Sequence, residues 1–448
     1  MADSLSDAFP PVSKQEWVDK IVSDLKGKPY EKLVRTSESG VPIAPVYMAS
    51  DLPADIAATY PGMNDHRRGH SGAMAIGQGG WITALDFAGE QLEDLEAIKA
   101  HFVQDMDVNV RGLRLVLNGG LRGALSENAR GSGLVLDNWG ELESVVEWAN
   151  ANGILLYIEA GDAAIDFLDS GLLGRISGAL DLNPMLWKGN NGPHDEAIAL
   201  CARAALQLGG KSDFLLFQLG LKELELAGAN AVQQIAFALA MGSDLVDRLG
   251  QNGVDASAVF DLTSVHFPVS TDFFEEIGKF RAFRILWNRL QAAWGIDQSE
   301  RSTYLIASSA LSTETLADAH VNLLRHTTQA MAAAIGGCKV ISIAAHDAAT
   351  GKYDPEAVRL ARNIQLVLKH ESDFWEADRC GRSLFRGGND RTICRPGLED
   401  VPGNPRRQEA GVRCRWQSGA GPREFTQPPG TGSPHRQPPD PRHEPLCQ

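Results

Sequence analysis

The chain has 448 residues, a formal net charge of −15 at pH 7 and a sequence pI near 5.2. This acidic balance argues against a general nucleic-acid-binding surface, and the sequence has no run of 18 or more apolar residues that could cross a membrane. The length exceeds that of a usual single domain. The start, MADSLSDAFPPVSK, has neither a basic segment nor an apolar core, so no signal peptide is predicted and a cytoplasmic location is expected.

The first hundred residues are predicted to form an extension ahead of the main domain. A helix is expected over Ser13–Gly27. Its apolar face would carry Trp17, Ile21 and Leu25. We expect residues 1–100 to contact a partner subunit, with packing against the chain's own domain as the alternative.

From about residue 110, strand-like apolar runs alternate with segments of helical periodicity. The candidate strands are Gly112–Asn118, Gly133–Asp137, Ile154–Glu159, Ser177–Leu182, Asp213–Leu219, Val259–Leu262, Thr303–Ser308 and Lys339–Ala344. The candidate helices are Leu142–Asn152, His194–Leu208, Ala231–Leu249, Phe273–Trp294, Val321–Ile335 and Pro355–His370. This alternation indicates an α/β fold with a parallel (β/α)8 TIM barrel over residues 101–373. An open doubly wound sheet is the alternative, although no GxGxxG follows any strand.

The helix expected after the sixth candidate strand is the most distinctive segment. Asp272 and Glu275 predict a capping box at its start, and Gly295 is suited to end it. Seven apolar residues at steps of three and four fall on one stripe: Phe273, Ile277, Phe280, Phe283, Trp287, Leu290 and Trp294. Such a stripe predicts a helix packed against the sheet.

Functional side chains of a barrel lie at the carboxyl ends of its strands. The residues at those ends are Asn118, Asp137, Glu159, Asp181, Gln218, His266, Ser309, His346 and Asp347. No HExxH spacing occurs, and chain order alone does not establish a Ser/His/Asp triad. His266, His346 and Asp347 are the candidate catalytic residues; the alternative is that the histidines are hydrogen-bonded parts of the scaffold. Asp137 and Asp181 have the further alternative of capping helices.

Cysteine spacing gives no sign of a metal or redox site. No CxxC pair occurs, and Cys201 and Cys338 are expected to be buried free thiols. We therefore assign no metal-binding or cofactor-binding residue to this chain.

The sequence changes character after Ser372. Residues 375–448 contain 12 Arg but no Lys, 11 of the 22 Pro and 4 of the 6 Cys. One interpretation of the segment 374–448 is a disordered, weakly basic tail. The other is a frameshift between about Phe374 and Arg386. Residues 386–395 can be encoded so that the frame one base later reads VEAMTERFAG, although codon freedom makes this permissive. Homogeneous gene reads with an intact frame across this interval would exclude the frameshift.

Four segments resemble the adenosylcobalamin-dependent methylmalonyl-CoA mutase family in order and approximate spacing. They are DFFEEIGKFRAFRILW in the aromatic helix, AGANAVQQIAFALA (Ala227–Ala240), HTTQAMAAAIGG (His326–Gly337) and VRLARNIQLVLKHES (Val358–Ser372). Weaker similarity extends across residues 110–372. The segments FPPVSKQEW and DLKGKPYEKL are similar to the start of the family's small subunit.

The resemblance implies a barrel that holds an acyl-CoA, followed in the family by a flavodoxin-like domain that holds cobalamin. Homolysis of the cobalt–carbon bond would start a radical rearrangement of the carbon skeleton. The family's cobalamin signature, Asp-x-His-x-x-Gly, occurs nowhere in these 448 residues. We therefore expect the cobalamin domain to be absent and adenosylcobalamin to be carried by a partner subunit.

The positions that resemble the family's catalytic chain carry different residues here. Lys222 and Glu223 stand where the catalytic chain has Tyr-His, and Leu85–Phe87 stands near its Arg-Gln-Tyr. Leu262 replaces an arginine two residues before the matched Ser264. The bulky strands LRLVLN, LVLD, ILLYIE and DFLLFQL predict a barrel filled by its own side chains, with no room for a pantetheine arm.

Two functions follow as hypotheses. The first is a small, non-catalytic subunit of methylmalonyl-CoA mutase that forms a heterodimer with a homologous large catalytic subunit. The second is an acyl-CoA isomerase that is active alone through His266, His346 and Asp347.

Overall fold

The computed structural model describes residues 12–48, 51, 80–87, 110–117, 139–160, 164, 166–185, 195–209, 214–299, 301–350, 354–372 and 374. Within these residues the core is a closed barrel of eight parallel strands. A two-stranded antiparallel hairpin, β1 (Arg35–Thr36) and β2 (Pro42–Ile43), precedes it. The barrel strands are β3 (Ile82–Phe87), β4 (Val110–Val116), β5 (Leu155–Glu159), β6 (Gly178–Leu182), β7 (Phe214–Gly220), β8 (Thr263–Val269), β9 (Tyr304–Ser309) and β10 (Val340–Ile343).

The strands follow one another around the barrel in chain order, and β10 closes it by pairing with β3. The α-helices are α1 (Lys14–Asp24), α2 (Glu143–Ala151), α3 (Asp195–Leu208), α4 (Lys222–Leu226), α5 (Ala231–Gln251), α6 (Ala256–Asp261), α7 (Phe273–Ala293), α8 (Val321–Ile335) and α9 (Pro355–His370). Short 3-10 turns lie at Tyr30–Leu33, Trp139–Leu142, Asp166–Asp169, Leu311–Thr313 and Ala348–Thr350. The predicted TIM barrel is therefore confirmed. None of the described helices combines the length and apolar character needed to cross a membrane.

Two strand assignments differ from the sequence prediction. The segment Val259–Leu262 is not a strand: it lies at the end of the short helix α6, which Asp255 caps by accepting a hydrogen bond from the amide of Ser257 at 2.9 Å. Val259 and Phe260 are buried in this helix, so a run of four residues with three apolar members did not distinguish a helix end from a strand. The sixth barrel strand is Thr263–Val269, whose polar residues and Pro268 concealed it.

The first barrel strand also lies earlier than expected. Ile82–Phe87 pairs with both β10 and β4, although the sequence analysis placed it in the extension before residue 101. The strand predicted at Gly133–Asp137 lies outside the described residues. The barrel is complete without it, because β4 pairs directly with β5.

The aromatic helix α7 is enclosed over most of its length. All residues from 275 to 288 are buried. On the predicted stripe, Phe280 and Phe283 contact the Phe267 ring of β8 at centroid distances of 5.8 and 5.0 Å. Trp294 at the end of the stripe remains 36% exposed, and Gly295 adopts a φ of +81°, as predicted for a helix end.

The predicted capping box of α7 is wrong in its chemistry. Asp272 occupies the N-cap position but forms no side-chain capping bond. Glu275 interacts instead with the extension: burial raises its pKa, and hydrogen bonds with Ser39 and Ser37 partly offset that rise. Val41 of the same hairpin is 2% exposed and packs in the main core. The β1–β2 hairpin is therefore attached to the barrel at the start of α7.

The last helix fastens the first strand of the barrel. The Trp81 indole donates to Gln365 Oε1 at 3.0 Å, and Lys369 Nζ donates to the Trp81 carbonyl at 2.6 Å. Lys369 Nζ also lies 5.0 Å from the centroid of the Trp81 ring. Because burial is not offset by a nearby carboxylate, it lowers the pKa of Lys369 to about 8.

Gly242 of α5 permits the close approach of α5 and α7. A Cβ atom at this position would lie 2.6 and 2.7 Å from two ring atoms of Trp287. We expect Gly242→Ala to lower the free energy of unfolding by about 1–3 kcal/mol, measured by urea denaturation. The control is Gly250→Ala in the same helix, where a Cβ meets nothing within 4 Å; this change is expected to be neutral or to stabilise by up to about 1 kcal/mol. Equal effects of the two changes would contradict the packing described.

The Lys369 contact predicts an unusual pH dependence. The folded chain releases this proton near pH 8, whereas the unfolded chain holds it to about 10.5. Between these values the unfolded state binds more protons, so raising the pH stabilises the fold, by at most about 1.4 kcal/mol per pH unit from this group. We expect the change in unfolding free energy between pH 7.5 and 9.5 to be more positive for the natural chain than for Lys369→Met. The same pH dependence in both proteins would refute this.

Candidate functional site at the barrel mouth

The interior of the barrel has an apolar lower part and a polar upper part. Strand register and alternation place an apolar cluster inside the barrel: Ala84, Tyr157, Ala179, Leu215, Ile306 and Val340. The phenols of Tyr157 and Tyr304 lie 3.0 Å apart beside this cluster. Burial raises the pKa of both, that of Tyr304 to about 12. These two large side chains occupy the axis below the mouth.

Above this cluster the inward positions of the strands are polar. They are Asp86, Arg114, Glu159, Asp181, Gln218, His266, Ser308 and Ser342. The outward neighbours of Arg114, Leu113 and Leu115, are fully buried against the helices. The strand LRLVLN therefore presents its leucines to the helices and its arginine to the barrel axis. The sequence analysis expected bulky apolar side chains to fill the barrel, but at this position a charged side chain fills it.

A chain of four charged side chains crosses the mouth. Arg114 Nη1 donates to Asp86 Oδ2 at 2.7 Å, and its other terminal nitrogen donates to Glu159. The second oxygen of Glu159 accepts a hydrogen bond from Lys222 Nζ at 2.9 Å. Ser342 donates to the remaining oxygen of Asp86. We call Asp86, Arg114, Glu159 and Lys222 the mouth network.

The charges of the mouth network balance, and the pKa shifts follow from this balance. Burial alone would lower the pKa of Arg114, but Asp86 and Glu159 raise it above its ordinary value. Burial would raise the pKa of Glu159, yet Arg114 and Lys222 hold it well below its ordinary range. Arg114 and Glu159 therefore remain charged at neutral pH, and each already has a partner of opposite sign.

His266 lies against this network in a neutral form. It is 2% exposed, and its Nε2 atom is hydrogen-bonded to Ser308 Oγ at 2.8 Å. Burial and the neighbouring Arg114 lower the pKa of His266 to about 3. An imidazole with such a pKa is a weak proton acceptor at neutral pH.

The other two candidate residues lie after β10 and are not joined to His266. His346 stacks on His320 with ring centroids 5.1 Å apart, and its carbonyl accepts a hydrogen bond from Asn322 at 2.9 Å. Among the described residues, His346 Nδ1 and Asp347 Oδ1 are buried without a hydrogen-bond partner. No hydrogen bond or ion pair in this part of the chain connects either residue with His266. The three candidates therefore do not form a hydrogen-bonded set.

Two of the remaining predicted mouth residues accept hydrogen bonds from backbone amides. Asp181 accepts a hydrogen bond from the amide of Ala160 at 2.7 Å, and Ser309 Oγ accepts one from the amide of Ala344 at 3.0 Å. Ser264 donates to the Phe217 carbonyl. Asn118 and Asp137 lie outside the described residues. Sequence reasoning did not identify Arg114, and it noted Lys222 and Asp86 only as departures from a family pattern.

No three His, Cys, Asp or Glu side chains of the described ranges come together in a way that could hold a metal ion. Cys201 and Cys338 are buried free thiols, as predicted, and burial raises the pKa of each to about 12. Thiols with such a pKa are not activated nucleophiles.

Comparison with known proteins finds similarity to one family. Residues 221–384 match the family model described as methylmalonyl-CoA mutase. The chain is 28% identical over 384 residues to a methylmalonyl-CoA mutase small subunit of Porphyromonas gingivalis, a match that covers 83% of this chain and 59% of that protein. It is 28% identical over 389 residues to the small subunit of Streptomyces virginiae, covering 82% and 59%, and 25% identical over 387 residues to a methylmalonyl-CoA mutase of Escherichia coli, covering 80% and 53%.

The chain thus spans about three fifths of the length of the small subunits that it matches. The family match ends at residue 384, within the segment where composition changes. On the family model and these relatives together, the chain is similar to the methylmalonyl-CoA mutase family.

Proposed function

We propose that this chain is a non-catalytic small subunit of an adenosylcobalamin-dependent methylmalonyl-CoA mutase, which interconverts methylmalonyl-CoA and succinyl-CoA. The observation that carries the proposal is the mouth network. Its four charged groups neutralise one another in the part of a TIM barrel where substrates bind, and Tyr157 and Tyr304 occupy the axis beneath it. A linear thioester arm would have to displace all of these groups.

The residues present at the mouth do not suit substrate chemistry. Lys222 and Glu223 stand where the family's catalytic chain has Tyr-His. Lys222 forms an ion pair with Glu159. Asp86, near the position of the family's Arg-Gln-Tyr, is engaged with Arg114 and Ser342. We therefore derive no catalytic step on this chain. The cofactor and the acyl-CoA would be bound by a homologous large subunit, in a cytoplasmic heterodimer.

The amino-terminal extension supports assembly with a partner. A capping box between Ser13 and Glu16 starts α1, so this helix has a defined beginning. Trp17, Ile21 and Leu25 lie on one face, as predicted, but no residue of α1 is fully buried. An ordered amphipathic helix whose apolar face is only half covered is a suitable contact for another subunit.

We also propose that the chain departs from the family fold after about residue 374. The end of the family match at residue 384 and the loss of Lys and of periodicity support a frameshift over a natural tail.

The alternative, an isomerase active by itself, has one observation in its favour. His346 Nδ1 and Asp347 Oδ1 are buried without partners among the described residues, so both atoms are available to bind a polar group. The neutral, hydrogen-bonded state of His266 weighs against it, because that residue would then supply no charge and little basicity.

Turnover distinguishes the two functions. We expect no conversion of methylmalonyl-CoA by this chain with adenosylcobalamin, and conversion when the homologous large subunit is added. Activity of the chain alone that His346→Ala abolishes, with Leu206→Ala as a surface control, would establish the alternative and overturn our proposal.

If the mouth network is structural, breaking it should reduce stability and not turnover. Glu159→Gln leaves Lys222 without its carboxylate and removes one of two from Arg114, so we expect a loss of about 3 kcal/mol or more in unfolding free energy. The turnover of the assembled complex, measured below the unfolding transition, should change less than twofold.

A matched control is Glu143→Gln in the exposed ion pair with Arg175, which should change stability by less than about 0.5 kcal/mol. Because the pKa of Glu159 is depressed, the stability that its charge provides is present above the ordinary carboxyl value near 4.5 and is lost as the pH falls below it. An unchanged stability of Glu159→Gln, or a large loss of turnover, would contradict a structural role.

A further inference from the structure

The short helix α4 connects two opposite sides of the barrel mouth. Lys222 of α4 contacts Glu159 at the end of β5, and Glu225 contacts Ser312 in the turn after β9. Around the closed barrel, β5 and β9 are four strands apart in either direction. A helix of five residues therefore has a side-chain contact on each of two opposite sides of the mouth. We call residues 221–229, which include α4, the strap.

Lys222 attaches the strap on the β5 side. Its Nζ atom lies 2.9 Å from Glu159 Oε1, and the two side chains are 23% and 19% exposed. Because both groups are largely shielded from water, their attraction is screened less than that of a surface ion pair. Glu159 also binds Arg114, so this contact joins the strap to the mouth network.

Glu225 attaches the strap on the β9 side. Its Oε1 atom accepts a hydrogen bond from Ser312 Oγ. Its other oxygen is buried without a hydrogen-bond partner among the described residues, so the Ser312 contact is the hydrogen bond that fixes this side chain there. Since positions 222 and 225 are three apart in one helix, both attachments come from the same face of α4.

Helix α4 contributes little to the apolar core. None of its residues is buried; Leu224 packs against the core only in part, and Leu226 is 53% exposed. A segment with few buried apolar contacts opens at a lower free-energy cost than the core of the same fold. Once its two polar attachments are broken, α4 can therefore leave the mouth while the barrel stays folded.

Both ends of the strap are fixed independently of these attachments. Before α4, Leu221 is fully buried, and its amide donates to the His266 carbonyl at 3.1 Å. After α4, Gly228 has a φ of +92°, and the Ala229 carbonyl accepts a hydrogen bond from Gln234 Nε2 at 2.8 Å. These contacts keep the strap beside the mouth and leave α4 as the part that can move.

The strap starts at a buried polar pair of the mouth. Leu221 binds the His266 carbonyl, and the His266 ring is hydrogen-bonded to Ser308 of β9. Both residues of this pair face the barrel interior, and they are only 2% and 4% exposed. Access of a small solute to Ser308 is therefore a measure of whether the mouth is open.

We propose that the strap closes the barrel mouth as a lid, and that its contacts with Glu159 and Ser312 hold it closed. This inference goes beyond the function proposed above and does not depend on it. Opening of the lid admits solvent and small solutes to His266 and Ser308. Tyr157 and Tyr304 still occupy the axis below, so the opening leads to a shallow chamber.

The test is the rate at which N-ethylmaleimide alkylates a cysteine placed at position 308 of the full-length chain, measured by peptide mass spectrometry. With Ser308→Cys alone we expect slow alkylation, because the closed lid shields this position. Adding Lys222→Met and Ser312→Ala together removes both attachments and should raise the rate at least tenfold. Adding Ser312→Ala alone removes one attachment and should raise it two- to fivefold.

Two controls separate opening of the lid from unfolding of the barrel. Cys338 is a fully buried free thiol just before β10, at the opposite end of the barrel from the mouth, so its alkylation rate reports unfolding and should not change. Ser302→Ala removes a comparable serine–carboxylate hydrogen bond, to Asp261 at 3.2 Å, at that same opposite end. It should leave alkylation at position 308 unchanged.

Hydrogen exchange gives a second measurement that needs no introduced cysteine. Without the two attachments, the amides of Glu225, Ala227 and Gly228 should exchange at least tenfold faster, while the amides of α5 stay protected. Unchanged exchange in α4, or unchanged alkylation at position 308 when α4 exchanges faster, would overturn the proposal. Fast alkylation at position 308 with both attachments intact, or an equal rise at Cys338, would also contradict it.

Discussion

Arg114 is the group on which the rest of this structure depends. A guanidinium inside a barrel is costly to desolvate, and that cost is offset only if carboxylates are held beside it. Asp86 from the preceding strand and Glu159 from the following one supply the two negative charges, and Lys222 balances the second. Since each member comes from a different element, the network both fixes the relative positions of β3, β4 and β5 and occupies the space at the mouth.

The same constraint accounts for the loss of chemistry that we propose. An active barrel in a radical enzyme must keep unpaired polar groups facing an enclosed space, where they can bind a substrate. Here the polar groups of the mouth network are satisfied by one another, and His266 is neutral and bonded to Ser308. The apolar face of α1, by contrast, is only half covered by the described part of the chain. This fits a chain that acts through its contacts with another protein.

Much of the fold could be predicted from the sequence because the spacing of apolar residues indicates which face of a helix or strand is buried. The stripe from Ile277 to Trp287 gave α7, and six of the barrel strands were expected near their observed places. The strand predicted at Val259–Leu262 was wrong because its three apolar residues fit a buried helix end as well as a strand. Ile82–Phe87 was missed because its alternation is short and isolated from the regular repeats.

The candidate site was less predictable, for a physical reason. In LRLVLN, alternation shows that the arginine and its neighbours face opposite sides, but not which side is the barrel interior. The ion pair of Glu159 with Lys222 joins residues 63 positions apart, and no local sequence pattern indicates this pairing. The spacing of Asn322, His326 and Gln329 places them on one face of a helix. Their hydrogen bonds with Thr315, Glu314 and Thr313 could not be predicted, because the course of that loop depends on the fold.

The central claim is that the axis of this barrel is closed by the chain's own side chains. It is tested most directly by titrating methylmalonyl-CoA into the isolated chain in a calorimeter. The account predicts no saturable binding at millimolar ligand concentration. Stoichiometric binding of the thioester, accompanied by exposure of Arg114 or Lys222 to chemical modification, would contradict it.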